Sequence, residues 1–535
     1  MSENYTIFRT PFLNMSFTPD VPSNALGPNE YNSGKNVEAD VRGIKKIGGE
    51  QTILSAVPGN IVFMDGGFRG SSIWTFIVAT REGKWYAVNA SGITNITPGV
   101  GANPNVSLSG YSDNINITTS WVGNVFFIND TLRNPMYFLS TATEIALTPD
   151  SQWNYTPGSN ATRAAFVRNY SSPNVGNILI AGNITQDLSS GVTANYPTTV
   201  RWSQAFANTG IPGTWVPTLS NVANEIEVPV RGPLIDGFFL GANFYVCSYW
   251  DTVIFSPIAY TNSTAPVFGI RLFNQGRGLI NNNCWTNTDQ NVYGVDSRDI
   301  WVFDGSNFNP LGNQKVRDYF FANLSQTYSD RIFVVNNTQK NQIEVYYPDL
   351  NSTGWCNKML AWRYDINVWN APKDITNATD ACEAPKYVGS DFQFASRTVT
   401  YAQGSTANSQ LIQTNIGNSF INNAPIPTLF ERTNIVFQSA DGPVPFSSKV
   451  YTHRVLPEIA GTGKVNITVG GANSTAQTPS YGQTGVTDIV TDTPWVTTQQ
   501  NNVRTVSVKV ESNDSTDAWN LTALNWQADI VEDAF

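Results

Sequence analysis

Short runs of β-branched and aromatic residues, each closed by turn-forming residues, recur down the middle of the chain. They stand at Trp85-Tyr86-Ala87-Val88, Met136-Tyr137-Phe138-Leu139, Val200-Arg201-Trp202-Ser203, Val253-Ile254-Phe255-Ser256, Ile300-Trp301-Val302-Phe303 and Val345-Tyr346-Tyr347. Their first residues, 85, 136, 200, 253, 300 and 345, are spaced by 51, 64, 53, 47 and 45 positions. Blades of a β-propeller repeat at roughly 40–50 residues, so the pattern predicts an all-β propeller. Within it, Val292-Tyr293-Gly294-Val295 and Ile300-Trp301-Val302-Phe303 flank a polar turn and lead into Asp304-Gly305, the pattern of consecutive hairpins. Glu82-Gly83 ahead of Trp85, and Tyr364-Asp365-Ile366-Asn367 between Met359-Leu360-Ala361-Trp362 and Val368-Trp369, repeat it. Dividing residues 56–425 by about 50 per blade predicts six to eight blades.

The flanks differ in pattern. Residues 1–55 are rich in Asn, Pro and Gly and read as an arm of loops and short platform strands, with Phe8, Phe12, Phe17 and Tyr31 as anchors. Its expected place is against another chain or against its own propeller. Residues 426–535 alternate cleanly in Val465-Asn466-Ile467-Thr468-Val469 and from Val503 to Glu511, which predicts a small β-sandwich closed by Trp519, Leu521, Leu524 and Trp526. A Gly, Ser and Thr-rich loop is expected around 470–486. One helix is expected, capped by Asn313 and burying Val316, Tyr319, Phe320 and Leu324 on its own core; a docking helix is the other reading.

Composition sharpens this. Apolar residues make up 41% of the 535 and aromatics 12%, enough for an extensive core, while charged residues are only 13%, about half the usual share. Polar surface must therefore come from Asn, Ser, Thr and Gly, residues that suit turns. The net charge of −10 opposes a protein that grips nucleic acid, because nonspecific affinity comes from Lys and Arg on phosphates; one that surrounds DNA without holding it is still allowed. No run of 18 apolar residues occurs, and Met1-Ser2-Glu3-Asn4-Tyr5 lacks the regions of a signal peptide, so a cytoplasmic chain without a membrane-spanning segment is expected.

The residues that could carry chemistry are few. Cys247, Cys284, Cys356 and Cys382 form no Cys-x-x-Cys pair and His453 is the single histidine, so neither a zinc site nor a catalytic triad is indicated. Cys356 and Cys382 flank an aromatic segment and could pair, although four buried thiols are the favoured reading. Asn-x-Ser/Thr triplets at Asn89, Asn95, Asn116, Asn160 and Asn183 serve better as turn markers than as glycosylation sites. Asp296, Asp299 and Asp304 read as turn formers rather than as a catalytic pair. Gly276-Arg277-Gly278 is not followed by a helix that could cradle phosphate, and no nucleophile elbow or Walker loop is present. No catalytic, cofactor or metal residue is therefore nominated, and the chain is expected not to be an enzyme.

Several motifs in order carry a resemblance. Asn29-Glu30-Tyr31-Asn32-Ser33-Gly34-Lys35-Asn36 runs into Val41-Arg42-Gly43-Ile44-Lys45-Lys46-Ile47-Gly48-Gly49-Glu50. Later come Val200-Arg201-Trp202-Ser203 with Pro212-Gly213-Thr214-Trp215, then Gly232-Pro233-Leu234-Ile235-Asp236-Gly237. Asp299-Ile300-Trp301-Val302-Phe303-Asp304-Gly305 follows, leading to Lys315-Val316-Arg317-Asp318-Tyr319-Phe320-Phe321. Together they resemble tail nozzle proteins of short-tailed bacteriophages, also called tail tubular or head-to-tail stabilisation proteins. The resemblance implies a propeller subunit of the virion tail, assembled in the host cytoplasm as a homohexamer below the portal-adaptor. Its bore would pass and gate double-stranded DNA without binding it specifically, and its outer surface would dock tail fibres or spikes. Six copies would carry six times −10 formal charges, which repels phosphate and lets a duplex slide.

A receptor- or polysaccharide-binding tail protein on a propeller scaffold is the rival reading. It would draw on the 15 Trp and 21 Tyr, most of which fall in predicted strands where a core accounts for them. A secreted adhesin would call for an export signal, which the start lacks.

Overall fold

The computed structural model describes residues 6–532 apart from 70–72, 99–109, 113–115, 124, 140–146, 154–160, 174, 188–190, 259–266, 405–407, 440–441, 444–446 and 492–494. Five successive stretches of chain each fold into a four-stranded antiparallel sheet of sequence-adjacent strands. They span Ile61–Arg69 to Gly92–Asn95, Thr118–Val122 to Thr148–Pro149, Ala161–Ser172 to Asn224–Glu227, Leu234–Leu240 to Phe268–Gln275, and Trp285–Asn287 to Phe308–Pro310. An eight-stranded sheet completes the ring. Its strand Lys373–Val388 pairs through its first residues with Cys356–Arg363 (Met359↔Lys373, Cys356↔Ala378). The remainder pairs with Asp391–Gln403, ending at Val388↔Asp391. This one strand is thus the outer strand of a sixth blade and, past an irregularity at Ala378/Asp380, the inner strand of a seventh. Among the described residues the propeller has seven blades, inside the expected range.

The ring closes with a strand from the other end of the sequence. Glu50–Pro58 pairs antiparallel with Asn408–Thr414, from Thr414↔Glu50 to Asn408↔Pro58, and forms the outer edge of the seventh blade. Pairing first and last strands removes the seam at which a ring of sheets would otherwise open. It also places the expected boundary at 55 inside a strand, so the propeller begins at Glu50.

Five of the six repeated runs hold the same structural place. Trp85–Asn89, Met136–Phe138, Thr193–Trp202, Asp251–Pro257 and Ile300–Phe303 are each the third strand of their blade, and Gln342–Tyr347 is a second strand. Their side chains fill the layers between blades: Trp85, Trp301 and Tyr346 are fully buried, and Phe303 stacks on Phe308 with ring centroids 4.4 Å apart.

Two further sheets face each other as a sandwich. One runs Val496–Val503, Ser448–Thr462, Ala518–Glu532, Gly43–Lys46, Val37–Asp40; the other runs Ser33–Lys35, Thr428–Ile435, Thr505–Ser512, Lys464–Ala472, Ser480–Asp488. The alternating runs pair directly (Ile467↔Val510, Val469↔Val508) and turn these residues into a core with Leu521, Leu524 and Trp526. Of the loop expected around 470–486, only 473–479 lies between strands. Ser480–Asp488 forms an outer strand whose side chains are mostly exposed, so no apolar alternation marks it.

The N-terminal stretch belongs to this sandwich. Thr6–Pro11 runs along the last strand (Phe8↔Trp526), and Gly43–Lys46 pairs with the same edge nearer its start (Leu521↔Ile44), Ser448–Thr462 taking the opposite edge. The anchors explain why: Phe8 stacks on Phe437 at 4.7 Å, while Phe12 and Tyr31 both meet Phe430 at 5.1 Å. Within the chain this stretch lies on the sandwich and also reaches the propeller, through Asn36 to Asp374 and Glu38 to Lys340 and Lys373. The helix is short, Arg317–Asn323, with Val316, Phe320 and Leu324 buried in the chain's own core, as expected. Its cap is not Asn313. The Asp20 carboxylate accepts the Asp318 and Tyr319 N–H groups at 2.8 Å each, a partner almost 300 residues away that no local pattern announces.

Candidate functional site

The inner strands of all seven blades converge on a polar centre. Arg168 donates from Nε and Nη2 to the two oxygens of Asp236 at 2.9 and 2.5 Å, from Nη1 to the Thr119 carbonyl at 3.0 Å and from Nη2 to Asn283 Oδ1 at 2.9 Å. The Trp285 indole N–H donates to Asp236 at 2.8 Å, and its ring lies 5.2 Å from the guanidinium carbon. Asp236 is completely buried, so its charge depends on these donors. The linker between the fourth and fifth blades crosses the axis and bonds on every side. Asn282 donates to the Ala165 carbonyl at 2.9 Å, Asn283 to Ile117 at 2.8 Å, and the Asn283 carbonyl accepts from Val334 N at 3.1 Å. A cavity of ≈ 330 Å³ remains above this plug, lined among others by Asp65, Thr119, Arg168, Trp285 and Asp380.

Two acids sit at its edge. Burial, reinforced by the charge of Asp65, pushes Asp380 up to about 8 against the pull of the Met64 and Ala381 N–H groups, so it carries a proton at neutral pH. Burial also raises Asp65, which the Thr119 hydroxyl bonds at 2.7 Å. The Cys382 thiol is held well above its ordinary range by burial and by the neighbouring acids, which makes it a poor nucleophile. The arrangement ties neighbouring blades together through Arg168, Asp236 and Asn283.

A second polar cluster joins propeller and sandwich. Glu38, from the sandwich strand Val37–Asp40, accepts from Lys340 at 2.9 and 2.8 Å and from Lys373 at 3.0 Å, with Lys45 at 3.6 Å. Burial alone would raise the Glu38 carboxyl, yet Lys340, Lys373 and Lys45 together hold it well below the usual range. Lys46 is likewise paired with Asp517, and Asn36 bridges Asp374 at 2.9 Å and the Pro427 carbonyl at 2.8 Å. One apolar cluster runs through Phe12, Trp301, Phe320, Trp369 and Val508, so the two domains share a core.

The remaining sequence candidates fall as follows. Asp296 accepts Arg298 N and Asp299 N at 2.7 and 2.8 Å, Asp299 accepts Ile300 N at 2.8 Å, and Asp304 accepts Ser306 N and Asn307 N at 2.7 Å each. All three are turn formers. All four cysteines are free, so Cys356 and Cys382 do not pair. His453 bonds Asp529 at 2.8 Å beside Tyr451. In Gly276-Arg277-Gly278, a Cβ on Gly278 would come within 2.0 Å of the Ser248 carbonyl; the glycine permits a chain crossing, not a phosphate cradle. Asn89 and Asn95 accept N–H groups two residues on, and Asn183 has φ +56° at an irregularity in its strand, as turn markers do. Asn160 lies outside the described residues. Sequence reasoning missed Arg168, Asp236 and Glu38, because each is a single charged residue within a strand whose partners are distant in sequence. Among the described residues no helix is long and apolar enough to cross a membrane, and no cluster of potential metal ligands occurs.

No family model and no curated protein matches this chain. Among solved structures it is similar to BBS1N, crystallised in complex with ARL6DN, at 8% identity and TM-score 0.38, over 69% of this chain and 96% of that one. It is also similar to the β-propeller domain of Cps50 (Swd1) from Myceliophteria thermophila, at 8% identity and TM-score 0.30, over 69% and 99%. The blade count and closure given above come from the strand pairing itself.

Proposed function

We propose that this chain is a structural, non-catalytic virion protein of a short-tailed bacteriophage. Six copies form the tail nozzle below the portal-adaptor, line and gate the DNA exit, and offer a docking surface to tail fibres or spikes. The observation that carries this reading is the correspondence between the nozzle-like motifs and the residues that make the molecule one stiff body. Lys45 and Lys46 hold the sandwich side of the joint, Asn36 ties it to Asp374, Asp236 anchors the propeller centre, and Asp299 accepts the Gly312 N–H at 3.2 Å beside the helix. A plugged propeller does not pass a duplex through its own axis, so a conduit has to be the space between copies. Rigid, acidic wedges suit that wall, because formal charge of −10 on each copy disfavours phosphate contact.

Closure from one chain type requires heterologous contacts around an axis, with interfaces of roughly 2,000 Å² or more for a permanent ring. The rival, a receptor- or polysaccharide-binding tail protein, draws no support from aromatic content alone, since Trp85, Trp153, Trp215, Trp301, Trp369 and Trp526 are fully buried. Mass photometry of the chain added to portal-adaptor complexes tests the proposal. A saturating mass gain of six chains per complex is expected; no gain, or saturation at another number, overturns it.

A further inference from the structure

One face of the fourth and fifth blades carries side chains that neither the core nor the plug employs. The turn between Asn243–Ser248 and Asp251–Pro257 bears Tyr249 and Trp250, 41% and 51% exposed, with ring centroids 6.1 Å apart. Tight turns are usually filled by Gly, Asn or Asp, so two large rings at this tip serve no need of the turn. The turn is fixed from beneath: the Ser248 hydroxyl accepts Trp250 N at 3.2 Å and Asp251 N at 2.9 Å, and Asp251 grips Arg231 through Nη2 at 2.6 Å.

Beside this turn lies an open cavity of ≈ 540 Å³ lined by both rings, Arg231 and Arg298. Ser297 and Arg298 also line a second cavity of ≈ 630 Å³ that continues toward Arg277 and Arg317. The two make one groove, each part within the range of small-ligand sites. Its charges are largely balanced internally. Arg231 is paired with Asp251, Arg277 donates to Asp296 at 2.8 Å, Arg317 has Asp318 at 3.6 Å, and Asp299 accepts two backbone N–H groups on Oδ1. Arg298 is the exception. Exposed at the junction of the two cavities, its guanidinium has no hydrogen bond or ion pair among the described residues.

We infer that this groove binds an acidic carbohydrate chain: Trp250 and Tyr249 stack against sugar faces, and Arg298 takes a uronate carboxylate. Flat apolar rings match the C–H faces of a pyranose, and a spare guanidinium matches a carboxylate bidentately. Duplex DNA is the poorer fit, because one unpaired arginine on an acidic molecule releases few counterions. The inference does not depend on the nozzle reading, since a site of this kind can operate in a monomer.

The test titrates the full chain with hexamers of galacturonate, mannuronate, guluronate and hyaluronan, following tryptophan fluorescence and calorimetry, with maltohexaose and a short DNA duplex as comparisons. Saturable binding of at least one acidic hexamer is expected, weaker at high salt and absent for maltohexaose. Trp250→Ala and Arg298→Ala should each weaken it about tenfold, and Arg298→Lys less than Arg298→Ala. Tyr249→Ala is the second stacking variant should Trp250→Ala reduce the folded yield, and circular dichroism verifies the fold of each. The inference is overturned if all four hexamers bind more weakly than about 10 mM, or bind equally well to the variants. Binding of the duplex alone, or a Trp250→Ala effect confined to self-association, likewise overturns it and marks the groove as a nucleic-acid or subunit contact. Failure here leaves the six-chain stoichiometry untouched, and the reverse also holds.

Discussion

Replacing Glu38 by Gln keeps the shape of the joint between sandwich and propeller and removes the charge that neutralises it. In the wild-type chain two ammonium groups contact Glu38 within 3.0 Å: Lys373, whose side chain is only 4% exposed, and Lys340, whose side chain is 22% exposed. Lys45 adds little, because Asp40 holds it at 3.0 Å independently. Stranding buried charges by removing their partner costs about 3–5 kcal/mol, and Lys373 is placed to incur most of it. Urea unfolding followed by tryptophan fluorescence should show a loss of that size at pH 7.

The sign with pH is fixed. Glu38 has a folded-state pKa below its unfolded value, so its contribution is complete above the unfolded value and disappears as pH falls through the folded one. Wild type and Glu38→Gln should therefore converge in acid. The triple variant Glu38→Gln, Lys340→Met, Lys373→Met should recover most of the loss, since apolar replacements leave no charge stranded. A single-variant loss below about 1 kcal/mol, or a triple variant as unstable as the single one, would refute the reasoning.

Asp380 has its folded pKa raised to about 8 by burial, so the folded chain binds more protons than the unfolded one between roughly pH 4 and 8, and stability must fall with rising pH across that window. At about 1.4 kcal/mol per unit over some 4 units the penalty is on the order of 5 kcal/mol by pH 8; Asp380→Asn should flatten the slope in denaturant titrations made at several pH values. Asp20→Ala removes the cap supplied to the helix Arg317–Asn323 and should cost about 1 kcal/mol, with faster amide exchange at Asp318 and Tyr319; unchanged exchange would show the cap to be idle.

The propeller was legible because its third strands carry apolar and aromatic residues at a blade-length spacing, and Trp85, Phe138, Trp202, Phe255 and Phe303 among them are buried in the apolar clusters. The inner strands were not, for the converse reason: they spend Asp65, Thr119, Arg168 and Asp380 on the polar centre, which breaks any apolar pattern. Closure by Glu50–Pro58 escaped because its partner is some 350 residues away and its own side chains alternate poorly. The sandwich strands Lys464–Ala472 and Thr505–Ser512 announced themselves by clean alternation, whereas the short N-terminal strands showed only the aromatic anchors that fasten them. Asp296, Asp299 and Asp304 were read correctly as turn residues because that role is local. Glu38 and Asp236 act through partners only the fold brings near, so their type and spacing carried no signal.

The central claim, that these stiff acidic wedges line a tail conduit, is tested most directly by electron microscopy of the chain bound to portal-adaptor complexes. The account predicts a six-fold collar beneath the adaptor, with an axial channel wide enough for duplex DNA between copies and none through any single propeller. Copies attached only around the periphery, with no collar on the axis, would contradict it.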